Sequence, residues 1–82
     1  MKVPRDISGG DLVKRLARYG YHPVRQTGSH QRLSGVIDGK IHTITIPLHK
    51  PLRVGTLHNI LKDVAEHRHI PLTKLIDDLF GE

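Results

Sequence analysis

Residues 41–48, Ile-His-Thr-Ile-Thr-Ile-Pro-Leu, read with a period of two, the pattern of a strand buried on one face. His42, Ile44, Ile46 and Leu48 fall on one side, and Ile41, Thr43 and Thr45 on the other, so one side is core and the other wetter. Pro47 has no amide to give to a ladder and belongs at a strand end or an edge. Just upstream, Asp38-Gly39 is a hairpin dipeptide, because a type I′ turn needs positive φ that Asp and Gly tolerate best. Shorter strands are predicted over Val24–Thr27 and Ser29–Ser34, with Gly28 and Gly35 as punctuation, and the main strand over Ile41–Leu48.

Helical periods flank this block. Ser8 reads as an N-cap, with Asp11 three residues on as an approximate capping box and Ile7 against Leu12 as a hydrophobic staple. Leu12, Val13, Leu16 and Ala17 then form an apolar face, while Gly20 supplies a left-handed stop and Pro23 prevents continuation, which predicts a helix from about Gly9 to Tyr19. Leu57, Ile60, Leu61 and Val64 define a second helix, capped near Thr56 and closed by His67, Arg68 and His69, whose charge suits the negative end of the helix dipole. After Pro71, a third helix is predicted over about 72–80, with Leu72, Leu75, Ile76, Leu79 and Phe80 on one face. The tail packs on the domain or meets a partner, and packing is the simpler arrangement.

An α-β-β-β-α order with an appended helix predicts an α+β fold: a three-stranded antiparallel sheet with two helices on one face, the arrangement of a double-stranded-RNA-binding domain. At 82 residues the chain is one domain, 1–82, with its core at about 7–69. No cysteine is present, so neither a disulfide framework nor a thiolate metal site arises. The opening residues, Met1-Lys2-Val3-Pro4-Arg5-Asp6, carry no signal-peptide apolar segment, and no apolar run approaches a membrane span, so a cytoplasmic location is expected.

A formal charge of +5 and seven histidines make polyanions the natural partners. The aromatic residues number three, Tyr19, Tyr21 and Phe80, too few for a base-stacking sheet of the RRM or OB type. Thr27-Gly28-Ser29-His30 puts a glycine, a hydroxyl and an imidazole at the start of a strand. If Leu33 faces the helices, His30 faces out with Arg32, which suits a polyanion lying across the sheet. RNA cleavage without a metal needs a base that takes the 2′-hydroxyl proton, for which histidine is suited, and donors at the phosphoryl oxygens, for which Ser29, Arg32, Lys50 and backbone amides are candidates. His49 is a second acid, a phosphate contact or a solvated loop residue. Gly55-Thr56 is a phosphate-binding helix start or an ordinary cap.

A zinc site at His67-Arg68-His69 fails on spacing, since residues two apart diverge on a helix and no acidic partner clusters nearby in the sequence; neither a metal nor a cofactor is implied. The dispersed carboxylates offer no two-metal nuclease set.

Four pieces in order carry a family resemblance: Gly20-Tyr21 with Val24-Arg25-Gln26, Gly28-Ser29-His30, Pro47-Leu48-His49, and Gly55-Thr56-Leu57 with Ile60-Leu61. Over roughly Ser8–Val64 the chain resembles the HicA family of bacterial toxin–antitoxin systems. That resemblance implies a small metal-independent mRNA interferase on a double-stranded-RNA-binding-like fold, His30 as its catalytic residue, mRNA as substrate, and a HicB-type antitoxin covering the site. Leu33 stands where the family's second strand often carries an aromatic. The alternative reading is a non-catalytic RNA-binding module of the same fold, which gives His30 no special task.

Overall fold

A computed structural model describes residues 3–81, so Met1 and Lys2 of the N-terminal reading lie outside the described residues. Helix α1, Gly9–Leu16, runs into a 3-10 turn, Ala17–Tyr19. Three strands follow, β1 His22–Thr27, β2 His30–Ile37 and β3 Lys40–Pro47, then helices α2 Val54–Arg68 and α3 Leu72–Phe80. The sheet is antiparallel in the order β1-β2-β3, with α1 and α2 packed on it, so the α+β fold of the double-stranded-RNA-binding type is present.

Ser8 caps α1 as its sequence requires: its Oγ accepts from the Asp11 amide at 3.0 Å. The reciprocal half of the capping box gives way to an ion pair, because Asp11 takes the Arg15 Nε at 3.0 Å one turn further on. The expected helix to Tyr19 tightens into 3-10 geometry after Leu16, and Gly20, at φ 84°, reverses the chain so that Tyr21 enters the core.

Both hairpins have two-residue turns. Ile37 pairs with Lys40 around Asp38 and Gly39, whose φ values of 52° and 77° are those a type I′ turn demands. Thr27 pairs with His30 around Gly28 and Ser29, and only Gly28 has positive φ, 57°. Two strand expectations are corrected here. β1 begins at His22 rather than Val24, and Pro23 is tolerated because β1 is an edge strand. β2 does not stop at Ser34 but passes through Gly35: a Cβ there would stand 3.0 Å from Tyr21 Cδ1, so this glycine makes room for a ring instead of ending a strand.

The alternation in β3 is as the sequence predicts. His42, Ile44 and Ile46 are buried beneath the helices while Ile41, Thr43 and Thr45 are exposed, and Pro47 ends the strand. From β2, Leu33 and Ile37 join them. They meet Leu12 and Leu16 of α1 and Leu57, Ile60, Leu61 and Val64 of α2, each buried leucine or isoleucine contributing about 1.5–3 kcal/mol. α2 starts at Val54, with Arg53 as N-cap and no side-chain cap bond, so Thr56 lies inside the first turn and is not the cap.

Helix α3 packs on the domain, as the simpler arrangement has it. Leu75, Ile76 and Leu79 are buried in the common core. Its last turn is also held from the α1 side: Arg15 donates to the Leu79 carbonyl, Arg18 to that of Asp78 at 2.9 Å, and the Tyr19 hydroxyl to the Asp78 carboxylate. Within the described residues no helix is long and apolar enough to cross a membrane.

Candidate nucleic-acid interface

The sheet has one helix-covered face and one open face, and strand register decides which side chains share the open one. His30 is the first residue of β2, directly after the Gly28-Ser29 turn, and is exposed, whereas Leu33 is fully buried. The two therefore point to opposite faces as their spacing requires, and Arg32 stands on the open face beside His30. Across the ladders, His30 pairs with Thr27 and Pro47, and Arg32 with Arg25 and Thr45. Five of these, Arg25, Thr27, His30, Arg32 and Thr45, line one concavity of about 300 Å³.

Arg25 reaches this face through an irregularity. The β1–β2 register shifts between Pro23 and Arg25, leaving Val24 unpaired. Without the extra residue, Pro23 opposite Leu33 would put Arg25 opposite Gln31, on the helix side, since one step of register exchanges the faces. The bulge thus turns a guanidinium onto the open face. Arg25, Thr27 and Thr45 are the residues that sequence reasoning missed; the strict alternation of β3 already marked Thr45 as outward, but nothing local marked the bulge.

The other predicted residues lie around this concavity without lining it. Ser29 occupies the turn, exposed, and its carbonyl accepts from the Leu48 amide at 2.6 Å, which ties the end of β3 to the start of β2. The His49 side chain is exposed while its carbonyl accepts from the Gly9 amide at 2.9 Å. Lys50 is not brought to His30: it lines a separate concavity with Asp6, Ser8 and Pro51. Gly55 and Thr56 sit in the first turn of α2, where an added Cβ at Gly55 meets open space, so that turn is approachable by a ligand but is likewise outside the His30 concavity.

None of the three aromatics faces this surface. Tyr21 is buried, Tyr19 and Phe80 are partly buried against the core, and Arg15 lies 4.9 Å over the Phe80 ring. The open face is built for anions rather than for stacked bases: two guanidiniums, one imidazole and two threonine hydroxyls, with no carboxylate among the residues lining the concavity.

The chain is thus a small α+β protein of the double-stranded-RNA-binding type, with a cationic, histidine-bearing open sheet. The family model described as the HicA toxin of bacterial toxin–antitoxin systems matches residues 9–65, and the chain belongs to that family. The match runs from the first residue of α1 to Ala65 in α2, so it takes in the whole sheet and the concavity, and membership implies a partner in a toxin–antitoxin pair. No curated protein and no solved structure matches the chain.

Proposed function

We propose that this toxin is an endoribonuclease that cleaves mRNA without a metal, with His30 as general base. The observation that carries this reading is the convergence of His30 with Arg25 and Arg32 on one concave patch of the open face. His30 takes the proton of a 2′-hydroxyl, the 2′-oxygen attacks the adjacent phosphorus, and the bond from phosphorus to the 5′-oxygen breaks. The leaving 5′-oxygen takes a proton from water or from protonated His49, leaving a 2′,3′-cyclic phosphate and a 5′-hydroxyl. Negative charge builds on the non-bridging oxygens during this step, and guanidiniums already in place stabilise it more than they stabilise the ground state. Thr27 and Thr45 supply hydroxyl donors to the same phosphate. Ser29, the exposed His49, Lys50 and Gly55, and the half-buried Thr56 contact the strand where it leaves the concavity.

The same charged face suits a HicB-type antitoxin whose acidic segment covers it, which would block RNA by occupying the guanidiniums. The test is RNA cleavage in EDTA by the wild type and by His30→Ala, each checked for folding by circular dichroism. Cleavage by the wild type that drops by at least about 10²-fold in the variant supports the assignment. Equal rates remove His30 from the mechanism, and a folded wild type that binds RNA without cutting it identifies a binding module.

A further inference from the structure

A second cluster lies on the opposite, helix-covered side of the sheet, near the Asp38-Gly39 turn. His42 stands on the inward row of β3, about nine-tenths buried, and Asp63 and His67 are one turn apart on α2. The expectation that no acidic partner clusters near His67 is corrected here, since Asp63 precedes it by one helical turn: Asp63 Oδ1 is 3.1 Å from His67 Nδ1, and its Oδ2 is 3.2 Å from His42 Nε2. One donor atom from each of the three side chains lies within 4.8 Å of the other two.

Three features let this cluster take a cation. Two donor separations match the edge of a zinc tetrahedron, about 3.3 Å for bonds of about 2.0 Å. His42 Nε2 donates to Asp63 Oδ2 at 3.2 Å, and when a cation takes the place of that proton the hydroxyl of Tyr21, 2.6 Å from Nδ1, receives the proton of the other tautomer, the usual outer-sphere arrangement of a metal-bound histidine. The cluster borders a concavity of about 430 Å³ that Glu66 and His69 also line, through which an ion and a fourth ligand can arrive.

We propose that His42, Asp63 and His67 form a three-ligand site for a divalent transition metal, Zn²⁺ by its donor set, that clamps α2 to β3. Two imidazoles and a carboxylate suit zinc and disfavour Mg²⁺, which takes oxygen ligands. The His42 and His67 rings now stack at 3.6 Å with 11° between planes. Capture turns the half-exposed His67 ring out of that stack, and out of its contact with the Asp63 carbonyl, so that its lone pair meets that of the fixed His42. The site is on the other face of the sheet from His30 and is independent of the proposed cleavage.

The test uses the full chain without a histidine tag. Thermal unfolding is followed in EDTA, with added Zn²⁺ and with added Mg²⁺, and zinc stoichiometry is measured by competition with a chromophoric chelator. One zinc per chain and a melting temperature raised by several degrees, unmatched by Mg²⁺, are expected. Asp63→Asn and His67→Gln change partly exposed side chains, so both fold in EDTA, and each weakens zinc binding by more than about tenfold, while the surface control His22→Gln does not. Absence of stoichiometric binding by the wild type, or binding that survives both variants, overturns the proposal.

Discussion

Arg25 and Arg32 stand directly opposite each other across β1 and β2, two guanidiniums on neighbouring strands of the open face. Like charges in opposed strand positions are destabilising, so this pair is expected to lower the stability of the free protein. A phosphate placed between them reverses the sign of the interaction. On the proposed reading, the two arginines serve a bound polyanion rather than the fold.

Arg25→Gln and Arg32→Gln are therefore expected to leave the melting temperature unchanged or raise it slightly, while weakening RNA binding. Removing one arginine–phosphate interaction should reduce the slope of log affinity against log salt by about 0.7 for a single strand. Parallel titrations at several salt concentrations read both effects. A variant that loses stability and keeps its salt slope would assign the arginine to the fold instead.

Gly9 is a position where α1 can lie against the end of β3 only without a side chain. An added Cβ would sit 2.0 Å from the Pro47 carbonyl oxygen and 2.8 Å from Leu48 Cα, both backbone, so no rotamer relieves it. Gly9→Ala is expected to cost about 2 kcal/mol or more, because the helix must back away and strain the hydrogen bond its N–H donates to the His49 carbonyl. Gly10→Ala, whose Cβ would meet nothing closer than Ser8 Oγ at 4.0 Å, should instead stabilise by about 0.5–1 kcal/mol through helix propensity. Urea unfolding of the two variants checks the contrast, and equal effects would refute the packing argument.

Tyr21 and His42 form a buried polar contact inside an otherwise apolar core, at 2.6 Å. Burial raises the Tyr21 phenol above its ordinary pKa, against the opposing charge of Arg68, and keeps the hydroxyl protonated. Tyr21→Phe preserves the ring and strands the imidazole nitrogen, which is expected to cost about 1–3 kcal/mol in urea unfolding. A loss below about 0.5 kcal/mol would mean that His42 finds another partner.

The parts of this molecule that were legible in the sequence are those fixed by neighbours along the chain. The Asp38-Gly39 turn, the burial of His42, Ile44 and Ile46, and the apolar stripe Leu57-Ile60-Leu61-Val64 depend on period and local φ alone. The placement of His30 and Arg32 followed from the same parity. Arg25 did not, because the bulge at Val24 exists only relative to β2. Gly35 misleads because a glycine that ends a strand and one that admits Tyr21 look alike until the ring is in place. The meeting of His42 with Asp63 joins a strand to a helix across 21 positions of sequence, which no spacing rule along one element can show.

The α1–α3 tether gives stability a pH dependence at both ends. Partial burial, and then the hydrogen bond to Asp78, push the Tyr19 phenol from 10.0 up to about 12, while the Tyr19 hydroxyl, and secondarily Lys74, hold the Asp78 carboxyl below its ordinary 3.8. A raised phenol contributes stability that is complete below pH 10 and is lost as pH rises through about 12; a depressed carboxyl contributes stability that is complete above pH 3.8 and is lost as pH falls through its lower folded value. Tyr19→Phe should lower the melting temperature by a few degrees at neutral pH and flatten both limbs. Part of the acid limb persists through Lys74, 3.3 Å from Asp78, and part of the alkaline limb through Tyr21, whose phenol burial also raises. Melting curves between about pH 3 and 11 measure this directly. If wild type and variant lose stability in parallel above about pH 10, the alkaline limb belongs to Tyr21 and the tether at Asp78 contributes nothing to it.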